Sequence, residues 1–383
     1  MSAIVEVAEK KSTHKVEVVP IVLEKHPNAD SLSIVRVYGY QCVVKTADWT
    51  GVDTASYVQP DSMVPNTPEY AFLRACSTCT GTGNAWTADR ERVDCPDCQG
   101  KGTLPLRDYD RRIRVRKFRG QMSQGMLVKA PAGSKVGDDV SDILGITRYE
   151  PPEPGMHGAK NGPVNQRKAP SCYVPVYDVE NWYRYGKATF TDGEPIQITE
   201  KLHGSNFRAV YSSADKDFFV GSRRHWLREY TEVPARTWYR RLSNWLGITK
   251  PRTVEYKNIW FDAARKHPWI EDWCRHNPDT VLFGEVYGKQ DLKYGVKDGD
   301  IGLAIFDMYG CSSGIYAMPI FHSVPCVPIL YEGPYSEQVV RSYIDGKSQV
   351  LGANHMREGI VIRSSRTGNK LKAVSDAYLE RAK

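Results

Sequence analysis

The sequence predicts an α+β protein of two domains: an N-terminal β-barrel interrupted by a cysteine-rich insert, then a larger domain of β-sheets with helices. Three observations carry this reading. Short runs of β-branched and aromatic residues separated by turn residues occur in both halves of the chain. Two Cys-x-x-Cys hooks break into the first set of runs. A stretch rich in proline and glycine, from Tyr149 to Pro170, separates the two sets and disfavours a packed core.

Between Val16 and Val64, Ser33-Ile34-Val35-Arg36-Val37-Tyr38 and Cys42-Val43-Val44-Lys45 read as strands joined at Gly39. After the insert, Arg112-Ile113-Arg114-Val115-Arg116 alternates basic and apolar residues, which predicts a half-buried strand with its arginines on one face. Several such strands with turns between them suggest a small barrel. Beyond the linker, strands are expected at Thr280–Tyr287, Ile301–Tyr309 and Gly359–Arg363. A helix is expected from about Val254 to Arg265. Trp238, Leu242 and Trp245 recur at helical spacing. The domains so defined are residues 1–148, with the insert at about 72–106, a linker at 149–170, and residues 171–383.

The 383 residues are 41% hydrophobic and 25% charged, which fits a water-soluble globular protein. There is no apolar run of about 18 residues and no secretory signal, so the expectation is a cytoplasmic monomer without a membrane span. A net charge of +7, from 52 basic and 45 acidic residues, is compatible with a polyanionic partner where basic residues cluster.

Cys76-Ser-Thr-Cys79 and Cys95-Pro-Asp-Cys98 have metal-ligand spacing. Four thiolates close a tetrahedral Zn²⁺ site, and with no open position its role is structural. Each hook is followed by Gly-x-Gly, a pattern that resembles the zinc ribbon of DnaJ-type co-chaperones, although no J domain accompanies it. Of the nine cysteines, Cys172, Cys274, Cys311 and Cys326 have no partner spacing and read as buried thiols.

In Ile198-Thr199-Glu200-Lys201-Leu202-His203-Gly204-Ser205-Asn206-Phe207, a strand leads to Lys201 and Gly204 allows a tight turn back. A lysine so held can point into a cleft. To act as a nucleophile it must lose its proton, which a desolvated, cationic site promotes. Attack by such a lysine on a phosphoryl group would further need cations around the phosphates and carboxylates for a divalent metal. Arg223, Lys370 and Lys372 supply cations, and Lys370 and Lys372 share a strand face. Glu285 and Glu358 supply carboxylates, and Phe306 a flat face for a base.

These segments, in this order, resemble the motifs of the covalent nucleotidyltransferase superfamily. Lys201-Leu-His-Gly resembles motif I, and Glu200–Phe207 is similar to the nick-sealing phage type of RNA ligase. Gly221–Arg224, Phe283–Gly288, Ile305–Tyr309, Glu358–Arg363 and Lys370–Lys372 resemble motifs Ia, III, IIIa, IV and V. An extra domain ahead of the transferase rather than behind it resembles the Deinococcus-type RNA ligases, in which an OB module comes first. Arg119–Met126 and His26-Pro27-Asn28-Ala29-Asp30 are similar, more loosely, to tRNA-binding OB modules.

The resemblance implies an OB-like barrel with a zinc-ribbon insert, followed by an adenylyltransferase (ATP-grasp-like ligase) domain of antiparallel sheets with helices. It implies ATP and Mg²⁺ or Mn²⁺, with RNA ends or a nicked duplex as partner and tRNA a further candidate. By carry-over, Lys201 forms lysyl-AMP, Glu285 contacts ribose, Phe306 stacks on adenine and Glu358 places the divalent metal. Lys370 and Lys372 grip the α-phosphate, Arg223 contacts nucleotide or RNA end, Asn206 supports the later steps, and His203 joins the catalytic set. Arg112, Arg114, Arg116 and Arg119 are the candidate RNA contacts of the first domain. Alternative readings are a GTP-dependent capping-type guanylyltransferase, a DNA ligase, or a non-catalytic RNA-binding protein. A C-terminal domain, expected of capping enzymes and DNA ligases, does not follow Lys372 in this sequence.

Overall fold

The structure is a computed structural model that describes residues 14–87, 89–149, 166–233, 252–255, 258–318 and 325–381. The chain divides into two compact units, Met1–Pro151 and Pro152–Lys383.

In the first unit, strands Glu17–Pro20, Thr54–Val58 and Met126–Lys129 form one antiparallel sheet, with Thr54–Val58 central. Strands Glu24–Lys25, Leu32–Val37 and Tyr40–Lys45 form a second. The tight turn between Leu32–Val37 and Tyr40–Lys45 places Tyr38 at φ 55°. Apolar side chains pack beneath these sheets, among them Val35, Val37, Ala55, Tyr57 and Leu127. A hairpin, Arg116–Phe118 with Gln121–Ser123, completes this face. It is tied to the 26–28 segment: the His26 ring meets the Phe118 carbonyl at 3.2 Å, and the Asn28 amide donates to the Arg119 carbonyl at 2.9 Å.

The strand expected over Arg112–Arg116 does not form as such. A short helix, Asp108–Arg111, runs up to it, capped by the Arg107–Asp110 pair. Only Arg116–Phe118 is strand, and Arg112 makes a single bridge to Met63. Side-chain partners explain the departure. Arg112 forms a forked pair with Asp61 at 2.7 and 2.9 Å, and its guanidinium lies 3.9 Å from the Tyr149 ring centre. Arg114 stacks 3.6 Å from the Tyr109 ring. These contacts outweigh the period-two pattern, and the arginines do not line one strand face.

The second unit contains two five-stranded sheets. The first runs Glu180–Asn181, Lys370–Val374, Gly359–Ser364, Pro195–Lys201, Ile329–Pro334; all its pairs are antiparallel except Glu180–Asn181 with Lys370–Val374. The second is antiparallel throughout: Asp217–Gly221, Ser205–Ser212, Thr280–Tyr287, Gly302–Gly310, Tyr316–Ala317. Each buries its own apolar face. Ile196, Ile198, Ile360 and Ile362 pack with Trp182, Val340 and Ile344 under the first; Phe207, Leu282, Leu303 and Ile305 pack with Trp260, Phe261 and Ile270 under the second.

The helix expected from about Val254 begins at Ile259. Arg252–Glu255 is strand, and the Asn258 side chain caps Ile259–Lys266 by accepting from the Phe261 amide at 2.9 Å. The cap residue was the signal the apolar spacing obscured. Trp238, Leu242 and Trp245 lie outside the described residues. Of the scattered cysteines Cys274 is buried as expected, whereas Cys172, Cys311 and Cys326 are half-buried.

Candidate active site

Lys201 is the last residue of Pro195–Lys201, and Ser205 the first of Ser205–Ser212. The intervening Leu202-His203-Gly204 is therefore the crossing from one sheet to the other. Gly204 is required there for space. A Cβ at this position would lie 2.2 Å from the Val286 carbonyl and 2.9 Å from Glu285 Cγ.

Sheet register brings the carboxylates to the lysine. Lys201 pairs with Gly359, so Glu358 arrives beside it, and Lys201 Nζ lies 2.6 Å from Glu358 Oε1. Asn206 pairs with Glu285 across the other sheet. Burial pushes the Glu285 carboxyl up to about 8, opposed by Lys201 and reinforced by Glu358. Glu358 Oε2 and Asn206 Oδ1 are buried without a hydrogen-bond partner among the described residues. Buried acceptors are nearly always satisfied, so both atoms are open to ordered water or to a ligand.

The strand pair Gly359–Ser364 and Lys370–Val374 sets Arg363 opposite Lys370 and Val361 opposite Lys372. Lys370 and Lys372 share a face, as their spacing requires. Lys370, however, is committed to the fully buried Asp307, which also accepts from Arg363 Nη1 at 3.0 Å and Tyr177 Oη at 2.9 Å. Its ammonium lies 3.6 Å from the Tyr316 ring centre, and burial lowers its pKa against the pull of Asp307. Phe306, next to this knot, is half-buried with its ring 4.8 Å from that of Tyr177. Arg223 is tethered to the same segment, donating to the Tyr177 carbonyl at 3.1 Å and pairing with Asp178 at 2.7 Å.

His203 lies between Glu358 and a set of residues that sequence reasoning did not assign. Its Nε2 is 3.0 Å from Asp291 Oδ1, its Nδ1 is 3.2 Å from Tyr378 Oη and 3.7 Å from Glu358 Oε2. Its backbone N–H donates to the buried Tyr294 hydroxyl at 2.7 Å. Asp291 and Tyr294 come from the loop after Thr280–Tyr287, and Tyr378 from the last helix, Asp376–Arg381. No spacing links them to Lys201. Asp307 did carry a signal, as the one charged residue of the apolar strand Gly302–Gly310.

In the first unit, the Sγ atoms of Cys76, Cys79, Cys95 and Cys98 all lie within 4.8 Å of one another, and all four residues are buried. Cys76 and Cys95 Sγ are 3.9 Å apart, Cys79 and Cys98 Sγ 3.7 Å. Tetrahedral sulfurs about 2.3 Å from zinc would stand roughly 3.8 Å apart. The two hooks repeat each other's hydrogen bonds: Gly83 N donates to Cys79 Sγ and Gly102 N to Cys98 Sγ, both at 3.2 Å. The Gly-x-Gly runs let the hooks interlock, because a Cβ on Gly83 would lie 2.2 Å from the Gly100 carbonyl. On the hairpin Arg116–Ser123 of the same unit, Arg116 and Arg119 are exposed, unlike Arg112 and Arg114.

Residues 194–374 match the RNA ligase family model, and residues 13–86 match an OB-fold domain. No curated protein matches the chain. Among solved structures, an RNA ligase of Naegleria gruberi with pyrophosphate is similar at 24% identity and TM-score 0.66, over 96% of this chain and 98% of that one. The same ligase as a variant with ATP and Mn is similar at 22% identity and TM-score 0.65, over 95% and 98%. At such identities the likeness establishes a shared fold. The family match spans the strands that carry Lys201, Glu285, Glu358 and Lys370, so residues 194–374 form an RNA ligase family domain, preceded by residues that match an OB-fold domain.

Proposed function

We propose that the protein is an ATP-dependent RNA ligase that joins a 3′-hydroxyl to a 5′-phosphate. The observation that carries this is the contact of Lys201 with Glu358 at a sheet crossing whose carboxamide and carboxylate acceptors lack partners. ATP, pyrophosphate, AMP and Mn are the ligands of the Naegleria structures. Lys201 Nζ, once deprotonated, attacks the α-phosphorus; a P–N bond forms as the bond to pyrophosphate breaks. The RNA 5′-phosphate then attacks the lysyl-AMP phosphorus; the P–N bond breaks, freeing Lys201, and a 5′–5′ pyrophosphate forms. Attack by the 3′-hydroxyl on that activated phosphate forms the phosphodiester and releases AMP.

Lys372 and Lys370 face the phosphates, with Lys370 held back on Asp307 until an anion competes for it. Arg223 contacts nucleotide or RNA end, and Phe306 offers its free face to adenine. Glu285 holds ribose; its raised pKa lets a protonated carboxyl donate a hydrogen bond near neutral pH. Glu358 Oε2, without a hydrogen-bond donor among the described residues, suits a hard divalent cation, Mg²⁺ or Mn²⁺. Held there, such a cation would neutralise phosphate charge. Asn206 Oδ1 faces the later steps. The four thiols fit one structural Zn²⁺, and the first unit serves to hold RNA through Arg116 and Arg119.

Incubation with α-labelled ATP or GTP and divalent metal, followed by denaturing electrophoresis, tests the first step. Sealing of nicked and single-stranded RNA tests the last. Label from ATP and joined product are expected. Label from GTP alone would make the protein a capping-type enzyme, and no label at all would make it a binding protein.

A further inference from the structure

We propose that Asp291 and Tyr378 are positioning residues that hold His203 in the tautomer whose Nδ1 cannot donate to Glu358, leaving Glu358 Oε2 open to the divalent cation. This deepens the ligase reading and rests on it.

Asp291 Oδ1, a carboxylate oxygen, only accepts, so the neutral His203 ring must carry its proton on Nε2 to use the 3.0 Å contact. Nδ1 is then a lone pair, and Tyr378 Oη at 3.2 Å is a donor suited to it. Glu358 Oε2 lies 3.7 Å from the same Nδ1, too far for a hydrogen bond, and both atoms are then acceptors. That explains why a buried carboxylate oxygen beside a histidine is left without a partner.

The opposite tautomer would be harmful. With the proton on Nδ1, a small ring movement would let His203 donate to Oε2 and cap the oxygen the cation needs. Asp291 blocks this electronically and Tyr378 sterically, since its ring packs against the imidazole with centres 5.4 Å apart. Tyr294 fixes the backbone of the same residue and is itself wedged against His355, ring centres 4.6 Å apart. Asp291 is 56% exposed, so removing its carboxylate leaves no buried void.

The test measures Mn²⁺ binding by electron paramagnetic resonance to protein saturated with α,β-methylene ATP, which cannot be turned over. Asp291→Ala should weaken Mn²⁺ binding about tenfold, the low end of the range for outer-shell partners of metal ligands, since Asp291 acts on Glu358 through His203. Tyr378→Phe should weaken it less. Asp291→Asn, whose amide oxygen still accepts from Nε2–H, should restore most of the loss. In a His203→Ala background Asp291→Ala should have no further effect, because the cycle isolates the route through the imidazole. Equal losses from Asp291→Ala with and without His203, or none in either, would overturn the inference. If wild-type protein binds neither Mn²⁺ nor the analogue, the ligase reading itself fails.

Discussion

The four-cysteine insert and the lysine cleft both gather several functional groups at one point, by opposite means. The insert draws its ligands from 23 consecutive residues, Cys76 to Cys98, and two interlocking turns aim all four sulfurs. The cleft draws Lys201, Asn206, Glu285, Asp291, Glu358 and Tyr378 from segments spread over 178 residues, and sheet register aims them. A site made by turns would depend on a bound metal for cohesion. A site made by register exists before any ligand binds, and bears the cost of its buried charges alone.

That contrast is sharpest where each site is deprived of its central atom. Lys201→Ala should abolish covalent label from ATP altogether while leaving the thiol cluster's metal content and the thermal transition of the first unit unchanged. Label retained on the variant would mean that another nucleophile is used, and the register argument for Lys201 would fall.

Metal removal is the converse. One zinc per chain is expected by elemental analysis. Chelation, or Cys76→Ser, should unfold the insert and lower the first unit's stability by several kcal/mol, because binding at such sites is folding free energy. Adenylylation of Lys201 should survive. Protein carefully purified without zinc yet showing an intact first transition would show that the turns hold without metal.

How much of each site was legible follows from the same contrast. The insert was wholly legible, since ligand spacing and Gly-x-Gly lie within one stretch of sequence. In the cleft, the strand-borne residues were legible because alternation fixes their side: Lys370 with Lys372, and Glu358 just ahead of Gly359–Ser364. What surrounds His203 was not. Asp291, Tyr294 and Tyr378 sit on a loop and a terminal helix, and only the folded chain brings them to residue 203. The Arg112–Arg116 pattern misled for a related reason. Its alternation was real, but Asp61 and Tyr109 offered the arginines partners that no period records.

The bare cleft's cost can be measured at Glu285. Its folded pKa of about 8 lies above the ordinary 4.5, so between these values the folded protein binds more protons than the unfolded chain. Stability therefore falls as pH rises from about 4.5 to about 8. Glu285→Gln, which cannot ionise, should be more stable than wild type at pH 8.5, on the order of 1 kcal/mol, with the gap narrowing toward pH 5. Urea denaturation at the two pH values reads this. A gap that is constant with pH would show that the carboxyl is ionised throughout and that its cleft is wetter than its burial implies.

The smallest effect separates the arginines of the first unit. Arg112 and Arg114 are engaged with Asp61, Tyr149 and Tyr109, whereas Arg116 and Arg119 extend from an exposed hairpin turn, with Arg119 at φ 47° beside Gly120. A guanidinium already paired gains little from a phosphate, since it must first leave a partner. Arg116→Ala with Arg119→Ala should therefore flatten the dependence of log K on log salt for single-stranded RNA by about 1.4, two contacts at roughly 0.7 each. Arg112→Ala should leave that slope nearly unchanged and instead lower the first unit's thermal stability slightly, through loss of the Asp61 pair. Deleting the first 150 residues should impair joining more than adenylylation, since only joining requires the RNA to be held. Equal salt slopes for the Arg112 and the Arg116/Arg119 variants would return all the arginines to one interchangeable basic surface, and would deprive the hairpin of its special place in the RNA contact.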